Sequence, residues 1–210
     1  MIELFGHPFS SYTWKALIPL YETATPFSFR VLEPDQPENA AALAAVWPLG
    51  KFPVLVDGDL EIVESSIIVE HVAPHFVPAD RDAAREVRML DRVFDNHVMN
   101  VATQVVLAAI RQGDVEAARA EAGVALDKVY GWLDMRLAGR AWAAGDDFTL
   151  ADCAGAPSLF YADWVHRIPD SCATLQAYRA RALARPSVSR CIGEARPYRH
   201  YFPLGAPDRD

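Results

Sequence analysis

The chain has 210 residues, 51% apolar and 23% charged, a composition expected of a soluble globular protein with room for a sizeable core. No apolar run reaches the roughly 18 residues of a membrane-spanning helix. The net charge of −8 excludes the basic surface that a nucleic-acid backbone demands.

The charge is uneven. Residues 1–78 hold three basic side chains (Lys15, Arg30, Lys51) against ten acidic ones, so this segment carries −7 of the total. An anion bound there must be held by local groups: Lys51, backbone amides and helix N-termini. Cys153, Cys172 and Cys191 lie far apart, without Cys-x-x-Cys or metal-ligand spacing, so reduced thiols and no metal are expected. The opening Met-Ile-Glu-Leu-Phe has no basic stretch before an apolar one, which predicts no secretory leader and a cytoplasmic location.

In chain order, Ile2, Leu4 and Phe5 predict a short strand that Pro8 ends. Trp14, Leu17, Ile18 and Tyr21 fall at helical spacing, with Ser10 or Ser11 placed as the N-cap. Residues 27–32 read as a second strand and residues 38–46 as a helix stopped by Trp47-Pro48. Pro53 cannot donate to a ladder, so the run Val54-Leu55-Val56 begins after it or lies at an edge. Asp57-Gly58 signals a two-residue hairpin turn, and Leu60 to Val63 returns. Glu64-Ser65-Ser66 then opens a helix. A cis Phe52–Pro53 bond, which costs only about 0.5–1 kcal/mol, would leave the Phe52 amide and carbonyl facing an extended ligand.

The order up to residue 78 is βαβαββα, the thioredoxin-like arrangement. Residues 79–86 read as a linker, and 87–210 as an all-α domain. Val87, Leu90, Phe94, Val98, Val101 and Val105 mark one face of a long helix over about 83–110, and a second runs over about 115–137. Phe148-Thr-Leu-Ala-Asp-Cys fits a capping box, Thr149 at N-cap and Asp152 at N3, before a helix apolar nearly all round. Pro157 is expected to kink that helix.

The stretch Pro48-Leu-Gly-Lys-Phe-Pro-Val-Leu, followed by Gly58-Asp and Glu64-Ser65, resembles the glutathione-binding half of the glutathione S-transferase family. The capping box is similar to the one at the start of that family's core helix. Ser10-Ser-Tyr-Thr-Trp-Lys-Ala-Leu is similar to the Ser-Ser-Cys-Ser-Trp-Arg-Val-Arg segment of zeta-class members, with departures at Tyr12, Lys15 and Leu17. The resemblance implies a homodimer that takes glutathione as co-substrate, together with a small electrophile.

By the same resemblance Ser10 occupies the catalytic hydroxyl position, with Ser11 and Tyr12 as alternatives. Lys51 meets the glycyl carboxylate, Phe52 before Pro53 contributes backbone, and Glu64 and Ser65 hold the γ-glutamyl end. Asn96, Met99, Asn100 and Trp164 are candidates for the second-substrate pocket. The chemistry such a site must perform is to ionise a thiol of pKa about 8.5 near neutral pH, a shift of about two units at roughly 1.4 kcal/mol each. A hydroxyl donor and a helix N-terminus supply energy of that order. Without the resemblance Ser10 and Ser11 read as caps, Glu64 and Ser65 as a helix start, and Lys51 as a turn residue. Two further functions fit the same residues: cis–trans isomerisation of a maleyl-type diacid, and a binding or regulatory module without turnover. The first needs cationic groups for the diacid, and the departures at Tyr12 (for Cys), Lys15 (for Arg) and Leu17 (for Arg) speak against it.

Overall fold

The computed structural model describes residues 1–210. A four-stranded sheet in the order β2-β1-β3-β4 is built from β1 (Ile2–Gly6), β2 (Phe27–Val31), β3 (Val54–Asp57) and β4 (Leu60–Val63). β1 and β2 are parallel, joined through α1 (Ser11–Glu22), while β3 runs antiparallel to both β1 and β4. α2 (Pro37–Val46) and α3 (Ser65–Val72) complete the βαβαββα order. In the hairpin Asp57 pairs with Leu60, so the two loop residues are Gly58 and Asp59, one position later than the sequence predicts. Gly58 takes φ +62° at the first loop position, a conformation glycine adopts without a Cβ clash.

The helical part begins earlier than expected. α4 (Arg81–Val93) starts inside the stretch read as linker, because the Asp80 carboxylate accepts from the amides of Asp82 and Ala83 at 3.1 and 2.9 Å. The helix does not run evenly to residue 110. Phe94–Met99 forms a π-helical segment, and α5 (Asn100–Ile110) continues from it. α6 (Val115–Arg136), α7 (Leu150–Val165), α8 (Ala173–Leu183) and α9 (Pro186–Ala195) follow, then a 3₁₀ turn over Arg196–Tyr201.

All sixteen residues of α7 are buried, which makes it the central helix of this part. The Asp152 carboxylate fixes its start, accepting from the Thr149 amide at 2.8 Å, the Thr149 hydroxyl at 3.0 Å and the Tyr178 hydroxyl at 2.8 Å. Pro157 sits inside α7, which remains helical on both sides of it. A Cβ on Gly155 would lie 2.7 Å from the Tyr178 oxygen and 3.1 Å from the Phe94 ring, so only glycine permits this approach.

One continuous apolar core joins the two parts. Trp14 of α1 packs on Phe160 and Tyr161 of α7, with ring centroids 4.9 and 5.4 Å apart. A small separate cluster of Phe5, Leu43 and Val54 lies between the sheet and α2. No helix is long and apolar enough to cross a membrane, and no group of three or more His, Cys, Asp or Glu is placed to hold a metal.

Candidate functional site

The loop from β1 to α1 is pinned before it reaches the serines. The Trp14 indole N–H donates to the Pro8 carbonyl at 2.5 Å, the Tyr161 hydroxyl to the Phe9 carbonyl at 2.9 Å, and the Phe9 amide to His7 Nδ1 at 3.0 Å. Ser10 caps α1, its Oγ accepting from the Thr13 amide at 3.3 Å. This bond uses a lone pair and leaves the Ser10 proton free, so capping and donation to an anion are compatible. Ser11, at the first helical position, is buried, and Tyr12 donates to Asn100 Oδ1 at 2.8 Å. Burial first, and the nearby Asp95 carboxylate second, push the Tyr12 phenol well above its ordinary value. Tyr12 is therefore a neutral donor already engaged by Asn100.

A polar cleft of about 290 Å³ opens between the two parts of the molecule. Lys51, Phe52, Pro53, Glu64 and Ser65 all line it, together with Trp47 on the N-terminal side. The Phe52–Pro53 bond is cis, and Phe52 enters none of the turn and loop backbone hydrogen bonds. Glu64 precedes α3 with φ +69°, a left-handed conformation that costs a residue with a Cβ on the order of 1–3 kcal/mol. The Glu64 carbonyl accepts from the Ile67 and Ile68 amides, which leaves the Ser65 and Ser66 amides without partners at the helix N-terminus. That end attracts an anion.

Across the cleft the helical part contributes Arg92, Asp95, Asn96 and Asn100. Beneath them lies a charge cluster. Lys15 is only 1% exposed; its Nζ sits 2.5 Å from Asp91 Oδ1, 2.7 Å from Asp95 Oδ2 and 2.8 Å from Ser66 Oγ. Arg92 Nη2 reaches both aspartates at 2.7 Å and also the Ser66 hydroxyl, which itself donates to Asp91 Oδ2 at 2.9 Å. Two cations thus balance two anions, the condition under which buried charges are tolerated. Burial raises the Asp95 pKa in spite of Lys15. Burial opposes the Arg92 charge, but the hydrogen bond to Asp91 and the charges of Asp91, Asp95 and Glu64 together outweigh it and its pKa rises.

An apolar cleft of about 260 Å³ adjoins the polar one, and Tyr12 lines both. Its walls include Phe9, Met99, Val106, Tyr161 and Phe202, with Ser10 and Ser11 at one side and no Lys or Arg. The structure divides the four residues named for a second-substrate pocket between different places. Met99 lines the apolar cleft, but Asn96 and Asn100 line the polar cleft, where Asn100 meets Tyr12. Both asparagines lie in or next to the π-helical segment, whose wider turn a regular helical period does not anticipate. Trp164 lines neither cleft: it is buried behind the apolar one among Phe9, Phe160 and Phe202. His166 points elsewhere and pairs with Asp127.

Sequence reasoning missed Asp91, Arg92 and the pairing of Lys15. A signal for them exists. Lys15 follows Trp14 and precedes Ala16-Leu17-Ile18, and a lysine in so apolar a run requires buried carboxylates. Asp91 and Asp95 sit four apart on a helix that otherwise turns apolar residues inward. The tail was also missed: Tyr201, Phe202 and Pro203 form one wall of the apolar cleft.

The glutathione S-transferase N-terminal-domain model matches residues 4–79 and the C-terminal-domain model residues 97–186. The chain belongs to the glutathione S-transferase family. It is 27% identical over 205 residues to glutathione S-transferase F6 of Arabidopsis thaliana, covering 91% of this chain and 99% of that one. Its fold superposes with a TM-score of 0.80 on glutathione transferase F7 of Populus trichocarpa, at 19% identity over 92% of this chain and 99% of the other. A glutathione S-transferase from Methylobacillus flagellatus, crystallised with glutathione bound, gives 0.78 at 24% identity over 91% and 98%.

Proposed function

We propose that the chain conjugates the thiolate of glutathione to small, largely apolar electrophiles. The observation that carries this reading is the junction of the two clefts at Tyr12, beside the free hydroxyls of Ser10 and Ser11 and the N-terminus of α1. In this reading the tripeptide lies along the polar cleft. Lys51 receives the glycyl carboxylate, the Phe52 backbone pairs with the cysteinyl unit, Glu64 takes the ammonium, and Ser65 with the free α3 amides receives the α-carboxylate. The Ser10 hydroxyl donates to the sulfur, and Ser11 and Tyr12 are the alternatives. The electrophile enters from the apolar side. The lack of any cation in that cleft speaks against a maleyl-type diacid, and hence against the isomerase reading.

Calorimetry with glutathione, followed by turnover with an aryl halide such as 1-chloro-2,4-dinitrobenzene, tests the assignment. Binding with conjugation supports it; binding without turnover toward a panel of electrophiles supports a binding or regulatory module instead. No heat with glutathione removes the reading altogether. We further propose that the molecule is a cytoplasmic homodimer; exposed Val124 and Trp132 on α6 are in keeping with a covered face. A solution mass equal to one chain would refute the dimer.

A further inference from the structure

An acidic N-terminal half is a poor partner for a ligand with two carboxylates and an ionisable thiol. Of its three cations, Lys15 is buried between Asp91 and Asp95, and Arg30 is paired with Glu3 at 2.5 Å. Only Lys51 is left to face the polar cleft. The second cation of that cleft, Arg92, arrives from α4 of the helical part.

The guanidinium of Arg92 is gripped from one side. Nε donates to Asp91 Oδ2 at 2.9 Å, and Nη2 is taken by Asp91, Asp95 and Ser66. Nη1 donates to nothing in the chain, and the side chain is 48% exposed. A planar fork fixed by two carboxylates along one edge presents its remaining N–H groups in a set direction. Its bond to Ser66, the neighbour of Ser65 in the first turn of α3, holds the guanidinium at the α3 end of the cleft that Glu64 and Ser65 line. The cluster itself is neutral, so a ligand meets oriented donors here and not a surplus of charge.

We propose that the free edge of Arg92 binds the α-carboxylate of the γ-glutamyl residue, sharing it with Ser65 while Glu64 takes the ammonium. The proposal rests on the glutathione reading above. In it Lys15, Asp91, Asp95 and Ser66 are positioning residues that aim the guanidinium. Ligand binding then spans both parts of the molecule, and the seam between them becomes a component of the site.

The test is a cycle of two proteins and two ligands. Wild type and Arg92→Gln are titrated calorimetrically with glutathione and with 4-aminobutanoyl-cysteinylglycine, which lacks only the α-carboxylate. Thermal melts check that the fold is kept. The expected result is a loss of about 10- to 100-fold for glutathione on substitution, and less than twofold for the decarboxylated tripeptide. Equal losses for both ligands would make Arg92 a structural residue only and overturn the proposal, as would no loss for either. Where Arg92→Gln melts too early to titrate, Arg92→Lys keeps the cluster charge and must show the same ligand-dependent difference. Failure of the wild type to bind glutathione would overturn the glutathione reading itself, an outcome separate from those of the cycle.

Discussion

The two clefts meet at one tyrosine and are built on opposite principles. The polar cleft relies on backbone and fixed charge: the cis Phe52–Pro53 segment, the open amides of α3, and Glu64 held at positive φ. Its selectivity comes from donors and acceptors that are in place before a ligand arrives, so little ordering is needed on binding. The apolar cleft is a surface of Phe9, Met99, Val106, Tyr161 and Phe202, drawn from distant parts of the chain. Such walls recognise size and shape, and a change of one methylene there alters affinity only modestly. The lesson is that one side is specified by chemistry at short sequence range and the other by packing at long range.

Substitutions that act on one side and spare the other break or sharpen this division. The largest effect is expected at the junction. Ser10→Ala should lower turnover by about 10²–10³-fold, as for removal of one donor to a developing or resident anion, with little change in glutathione affinity. Single-turnover kinetics and the ultraviolet absorbance of the bound thiolate measure it. If Ser11→Ala or Tyr12→Phe shows that loss instead, the donor moves to that residue. Next, Ser65→Ala should weaken glutathione binding by roughly tenfold, since the α3 amides remain, and should leave KM for the electrophile unchanged. Equal shifts in both constants would mean that the clefts are not independent. The smallest effect is expected from Met99→Ala, a rise of a few-fold in KM for a bulky apolar electrophile without change in glutathione Kd. A change in glutathione Kd alone would assign Met99 to the wrong side.

The same division explains what could be read from the residues in order. The strand edge after Pro53, the hairpin and the start of α3 follow one another within twenty residues, and their turn chemistry is local, so the sequence announces them. The hairpin loop was misplaced by one residue because Asp57 is as good a turn former as Asp59, and strand pairing decides between them. The Asp152 cap was legible for the same local reason. For Asn96, Asn100 and Trp164 the sequence places each residue on a helix but does not say which wall it reaches. The π-helical winding of Phe94–Met99 and the aromatic cluster around Trp164 are products of tertiary packing, which no single-helix pattern encodes. Arg92 is not legible because the carboxylates that hold it are shared with Lys15, seventy-seven positions earlier in the chain.

Lys15 itself sets a limit on how this molecule can be rebuilt. It belongs to the first helix of the sheet-bearing half, while the carboxylates that neutralise it belong to the other half. A hybrid that grafts residues 1–78 onto a foreign helical partner would strand an ammonium group in an apolar seam unless the graft brings its own pair of acids. Recombination between relatives is therefore permitted only where that electrostatic lock travels with the exchanged segment.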